Sequence, residues 1–465
     1  MEAFLVEELL HQNNSKYLKP ERETKMFYLV SIMFFFTLFV LPQYFGVPFP
    51  LFDLTALRII IVILLIMIVA DTKRKNNFVD LIVNSTFTKF LIPYLFVITY
   101  TMLLRVDVNA FLNPFIELLT LYLLIYIIKF ELGIEKSVKL LIYFTYFLAI
   151  MGIIEFAFGR SLFSYLETIH GLYTGQFIRS GSYRIMGSSN HSLGYGLMLI
   201  TMVPFSCIDV EKNELNLFRR PILLFLLIGN VFLCGSRSTL SVLIIEIIML
   251  ILLLPNLQKK RVILISGILL IVVVCGLLAG KNTSIGQYIL LQITSIIDQL
   301  LGTKFSVQYG ANLAALGSSS NYRDQLKYIF IVDWLNPFLG IGRKRSFSAE
   351  INGSFIASVD NFYIAEFVRY AYPGLLTYML YIGYFIVYLF KRVKGQKFCI
   401  YRILFIGVIC YLINLIWVDS LQTLKYLYIL FALGTSYDLS VCKKNTGSSD
   451  CKSRYIKKGK QLWNH

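Results

Sequence analysis

Long apolar runs recur from one end of the chain to the other, and short polar clusters separate them. Twelve runs are read, at roughly 26–45, 51–70, 89–105, 109–129, 138–158, 187–207, 221–235, 238–254, 261–280, 364–390, 400–418 and 421–437. Most reach the ~17–25 residues that a helix needs to cross ~30 Å of hydrocarbon. The two runs meeting near Cys234–Ser238 leave room only for a tight turn. The pattern predicts an all-α polytopic membrane protein with about 12 transmembrane helices.

One long stretch, Lys281–Asn361, is too polar for lipid. Within it Ile285, Ile289, Ile293, Ile296, Ile297 and Leu300 repeat at helical spacing, which predicts an amphipathic helix lying on the membrane surface. Gly302–Asn321 reads as loop. Tyr322–Leu335 reads as a second short helix, stopped at Asn336-Pro337 because the residue before proline avoids helical angles. The domain expectation is helices one to nine over 1–280, a large loop over 281–361, helices ten to twelve over 362–437, and a basic tail over 438–465. No repeat relates the two halves.

Composition agrees with a membrane location. The chain is 57% hydrophobic and 15% charged, more apolar surface than a soluble fold of this length can bury. Residues 1–25 lack the plan of a signal peptide. The seven cysteines lie in or beside apolar runs or in the tail, and none lies in 281–361, so no disulfide framework is expected.

Net charge is +17, and its distribution decides what that means. The basic residues do not form one nucleic-acid face. They collect between alternate runs: Lys73, Arg74 and Lys75; Lys129, Lys136 and Lys139; Lys212, Arg219 and Arg220; Lys259, Lys260 and Arg261; Lys391, Arg392 and Lys394. That alternation places both termini in the cytoplasm and 281–361 outside.

Outward arginines then become the candidate chemistry: Arg179, Arg184, Arg237, Arg323, Arg343 and Arg345. A guanidinium near hydrocarbon is costly, and its planar fork matches phosphate or diphosphate in a way lysine does not. The competing reading is snorkelling to lipid headgroups. Asp360, at the mouth of the tenth run, reads either as a proton acceptor or as a helix cap. Glu117, Glu155 and Glu246 fall inside apolar runs and read either as structural acids paired with arginines such as Arg58 or as lining a polar cavity. Four histidines without ligand spacing and the lack of an outer D-x-D pair argue against a metal site.

Three segments resemble the O-antigen polymerase and ligase superfamily of bacterial glycan-assembly proteins. YRIMGSSNHSLGYGLML resembles its Arg-x-x-Gly approach to a span, CGSRSTLSVLIIE its Ser-Arg-Ser/Thr junction, and NYRDQLKYIFIVDWLNPFLGIG with VDNFYIAEFVRYAYPGLLTYM its loop signature. The resemblance covers mainly residues 180–380. It implies a membrane fold of the GT-C kind and a metal-independent glycosyltransferase without cofactor. Such an enzyme polymerises polyprenyl-diphosphate-linked oligosaccharides, in company with a flippase and a chain-length regulator. It implies Arg237, Arg323 and Asp360 as catalytic residues and Arg184 and Asn361 as substrate-binding ones, and the outward-facing Arg343 is added to the substrate-binding set from its position alone. Ligase members commonly have histidine where this chain has Asp360, which favours the polymerase over the ligase. A flippase, the reading from a different class, should show related halves and polar residues spread through many spans.

Overall fold

The computed structural model describes residues 25–49, 53–173, 175, 178–179, 182–254, 256–310, 321–395, 399–420 and 423–445. Most of these residues are helical. The helices are α1 Lys25–Phe39, α2 Ala56–Ala70, α3 Thr72–Asn84, α4 Thr86–Arg105, α5 Asn109–Ile127, α6 Ile134–Phe158, α7 Ser192–Ser206, α8 Pro221–Leu233, α9 Arg237–Leu253, α10 Asn256–Ala279, α11 Ser284–Leu301, α12 Phe362–Gly395, α13 Cys399–Asn414 and α14 Leu424–Asn445. Part of the expected basic tail, 446–465, and of the expected loop, 311–320, lies outside the described residues.

Among the described residues four helices are long and apolar enough to cross a membrane: Thr86–Arg105, Asn109–Leu132, Ile134–Phe158 and Phe362–Lys394. Five shorter apolar helices accompany them, α1, α2, α7, α8 and α13. The bundle is apolar inside and out. Phe34, Leu123, Leu199 and Tyr428 are buried, while Leu29, Ile66, Phe96 and Leu264 are exposed. Exposed side chains of this kind suit hydrocarbon rather than water.

Two sequence expectations change. Residues 72–84, read as a cytoplasmic loop, form the amphipathic helix α3, capped by Asp71, which accepts from Lys73 and Arg74 N–H groups. Its Arg74 is buried with its guanidinium 4.4 Å from the Phe27 ring centroid. The amphipathic helix expected at 284–301 is present as α11, with Thr283 at its N-cap. Its apolar face is used within the protein, because Tyr288 donates to the Phe232 carbonyl at 3.1 Å and Ile296 is buried.

The NPFLGIG segment is the structural hinge of the fold. Helix α12 is two helices joined at Ala371, whose φ of 55° is left-handed. Pro373 has no N–H for the Arg369 carbonyl four residues back. Gly342 N–H takes that carbonyl at 3.0 Å, and Ile341 N–H takes Val368 O at 2.9 Å. In return Tyr372 N–H donates to Pro337 O at 3.1 Å. The turn thus satisfies backbone groups that the proline orphans. Its own carbonyls are held by α4: Tyr100 donates to Phe338 O at 2.6 Å, and Arg105 to Gly340 O at 2.8 Å. Glycine is required here. A Cβ at Gly340 would lie 2.1 Å from Arg369 O, and Gly342 has φ +82° with Asp107 2.6 Å from where its Cβ would be.

After the hinge, Ala349–Ile351 and Ser354–Ile356 form an antiparallel hairpin. Asn352 and Gly353 turn it, both with positive φ, as an Asn-Gly two-residue turn demands. Leu326, Ile329, Phe347, Ile351 and Ile356 pack with Phe367 and Val368 into a small core that seats this loop on α12.

Candidate functional site

A cavity of about 850 Å³ opens where the N-terminal ends of α7, α9 and α12 converge with the loop. Five of the six residues proposed from sequence line it: Arg184, Arg237, Arg323, Arg343 and Asp360. They come from four separate stretches of chain, brought together only by the fold.

Arg184 is placed by a carboxylate. Glu155 on α6 accepts from Tyr183 Oη at 2.8 Å, Met186 N–H at 2.7 Å and Gly187 N–H at 2.8 Å. This clamp fixes the extended stretch that carries Arg184. The arginine is buried, and its Nε donates to Cys234 O at 2.6 Å. Glu155 therefore orders backbone rather than pairing with an arginine.

Arg237 is the first residue of α9, not part of the turn before it. Ser236 caps the helix, its Oγ accepting from Thr239 N–H. Ser236 and Ser238 line the cavity, as do His191 and Leu193 at the start of α7. His191 Nδ1 accepts from Leu193 N–H at 3.1 Å and caps that helix. Two helix N-termini therefore face the cavity, and each adds positive partial charge.

Arg323 sits in a helical turn at 321–326, and its Nε is buried without a hydrogen-bond partner among the described residues. Arg345 is exposed at the rim. Neither is in an ion pair among the described residues.

Two lining arginines are neutralised in place. Arg343 meets Glu117 at 3.0 Å, lies 3.9 Å from Glu366, and donates from Nε to Tyr370 Oη at 3.1 Å. Burial works against its charge, but the Glu117 carboxylate, with Tyr370 and Glu366, outweighs it and holds the guanidinium pKa above its ordinary value. Arg369 meets Asp419 at 2.6 Å and Glu366 at 3.2 Å. Glu366 is completed by Tyr94 Oη at 2.8 Å. Glu117 thus pairs with Arg343 and not with Arg58, whose Nη2 donates to Asn113 Oδ1 at 2.6 Å. Glu246 is buried with neither oxygen hydrogen-bonded among the described residues.

Asp360 faces the cavity half-buried, its Oδ1 accepting from Ser358 Oγ at 3.0 Å. It does not cap α12. Asn361 does, accepting from Ile364 N–H at 3.1 Å while its Nδ2 donates to Ile416 O at 2.8 Å. Asn361 is absent from the cavity lining, so the structure gives this expected substrate-binding residue a capping position.

Sequence reading missed Asp419, the counter-ion of Arg369, and gave no role to His191 and Trp417, which also line the cavity. Asp419 follows the eleventh apolar run, and nothing local names its partner. The Asn-Gly pair at 352–353, flanked by apolar alternation, is a hairpin signal that was available.

In all, the cavity holds six arginines against two aspartates, Asp360 and Asp419. Such a site suits a ligand with several negative charges. No family model matches the chain, and no curated protein matches it.

Proposed function

We propose that the chain is a polymerase of glycan repeat units carried on polyprenyl diphosphate. It would work in the cytoplasmic membrane of a bacterium with both termini inside and the arginine cavity outside. In this reading the five shorter apolar helices, with α9, α10 and α14, complete a set of about 12 spans in a GT-C-like fold. The observation that carries the proposal is the convergence of Arg184, Arg237, Arg323 and Asp360 on one cavity.

The chemistry follows from those groups. The acceptor is a sugar hydroxyl of a second lipid-linked unit. Its oxygen attacks the anomeric carbon of the donor, and the bond from that carbon to the diphosphate oxygen breaks. The electron pair leaves on polyprenyl diphosphate, and the hydroxyl proton passes to Asp360. Negative charge grows on the diphosphate during this step. Fixed guanidinium groups and helix N-termini stabilise it there without reorganising. With Arg343 and Arg369 neutralised by carboxylates, the other four lining arginines, Arg184, Arg237, Arg323 and Arg345, supply the charge that a metal-dependent transferase takes from its ion, so the reaction is written without metal or cofactor.

Deletion of the gene, with sizing of the surface polysaccharide, tests the proposal. Single repeat units on the surface lipid are expected. Long polymer left unattached to its final acceptor would indicate a ligase, and repeat units trapped on the cytoplasmic side would indicate a flippase.

A further inference from the structure

A second cavity, of about 480 Å³, shares Arg343 with the first. It is formed by the loop between α1 and α2, the starts of α2, α5 and α14, and the face of α5 that carries Glu117. Its size lies within the ~300–1,000 Å³ of ordinary small-molecule sites. Of the site residues proposed from the sequence only Arg343 lines it, together with the structural candidates Glu117 and Arg58.

Its charges are unevenly matched. Arg343 is paired with Glu117. Arg58 bonds Asn113 and feels the charges of Asp53 and Glu117. The remaining basic side chain is Lys425, and neither lining carboxylate, Glu117 or Asp53, forms an ion pair with it. Its Nζ lies 5.2 Å from the Tyr426 ring centroid. Lys425 also occupies the first turn of α14, where no acidic residue accompanies it. A cation at a helix N-terminus opposes the helix dipole. The remaining polar lining is rich in amides, with Gln43, Asn109 and Asn113. Side-chain amides carry both donors and acceptors, which suits hydroxyl groups.

We propose that this second cavity is a carbohydrate subsite for an acidic sugar. The sugar's anionic group would meet Lys425 Nζ, and its hydroxyls the amides of Gln43, Asn109 and Asn113. The sugar body rests on the glycan-polymerase reading of the first cavity, whereas the anion rests on Lys425. The lipid-linked units handled by this protein would then contain an acidic residue.

Saturation-transfer NMR titration of the purified full-length protein in detergent tests this with glucuronate, glucose and inorganic phosphate. Glucuronate should bind saturably and roughly 10-fold or more tighter than glucose, the scale of one charge-assisted bond. Lys425→Met should reduce glucuronate to the level of glucose, and Lys425→Arg should keep the preference, which separates charge from misfolding. Arg237→Gln, in the first cavity, should keep it as well. Equal binding of glucuronate and glucose overturns the proposal. So does loss of the preference in Arg237→Gln rather than Lys425→Met. Phosphate displacing glucuronate as strongly as glucuronate itself would leave a bare anion site and overturn the sugar assignment. The titration uses no lipid-linked donor, so failure of the polymerase reading would appear separately, as absence of polymer from the unmodified protein.

Discussion

Arg343 Nη1 and Glu117 Oε1 lie 3.0 Å apart although 226 residues separate them in the chain. Arg343 lines both cavities, so the pair is part of the partition between them. It joins the hinge turn to α5, and Glu366 and Tyr370 join it to α12.

Breaking that pair should destabilise the protein. Removing one partner of a fully buried pair costs about 3–5 kcal/mol, because the other charge is left buried, and this part-buried pair should cost less than that. Arg343→Gln is expected to be worse than Glu117→Gln, since Arg343 also faces Glu366. The double variant should recover part of the loss. Unfolding temperatures of the three detergent-purified variants check this, and a double variant worse than the sum of the singles would contradict it.

Arg237→Lys keeps the charge in the first cavity and loses the planar fork. Loss of one charge-assisted bond is worth roughly 1.5–3 kcal/mol, or about 10- to 150-fold in rate. Polymer formation from purified lipid-linked units should fall by that factor while membrane insertion is normal. An unchanged rate would leave Arg237 as a headgroup contact.

Asp360→Asn now discriminates cleanly, because Asn361 holds the helix cap. The amide cannot take a proton, and general base catalysis contributes ~10²–10⁴-fold. The variant should fold and bind lipid-linked substrate, yet make little or no polymer. Polymerisation at the parent rate would remove Asp360 from the reaction and leave the arginines in place.

Gly340→Ala should prevent the hinge from closing, since its Cβ would meet Arg369 O at 2.1 Å and Tyr370 N at 2.3 Å. Overpacking of this kind costs typically ~1–3 kcal/mol. Faster proteolysis of the segment 321–361 is the expected readout. Gly383→Ala, in α12 with no atom within 4 Å of its added Cβ, serves as the neutral control.

Sidedness can be read by thiol labelling in a cysteine-free background. Ser354→Cys, exposed on the hairpin, should react with an impermeant reagent in intact cells or spheroplasts, and Lys394→Cys, exposed at the end of α12, should not. The reverse result would turn the arginine cavity toward the cytoplasm and remove the proposed chemistry.

The sequence by itself determined that the chain is helical and rich in apolar segments, because helix length and burial in lipid are written in consecutive residues. It also marked Arg184, Arg237, Arg323 and Asp360, since charge beside apolar runs is locally conspicuous. It did not determine partners. Glu117 was read as pairing with an arginine such as Arg58 or lining a polar cavity, and the fold gave it Arg343 through a turn 226 residues away. The cap of α12 turned on one residue, Asn361 in place of Asp360, a difference set by backbone angles that composition does not carry. Helix α3 and the Asn352-Gly353 hairpin were legible in pattern and turn chemistry, but were covered by the larger contrast between apolar and polar segments. Asp419 beside the eleventh run and Lys425 inside the twelfth carry the same local signal, but nothing in the sequence named their surroundings. They acquire meaning only when packing sets one against Arg369 and leaves the other lining a cavity without an ion-pair partner among the described residues. Electrostatic matching acts through space over a few ångströms, so only the tertiary structure could decide it.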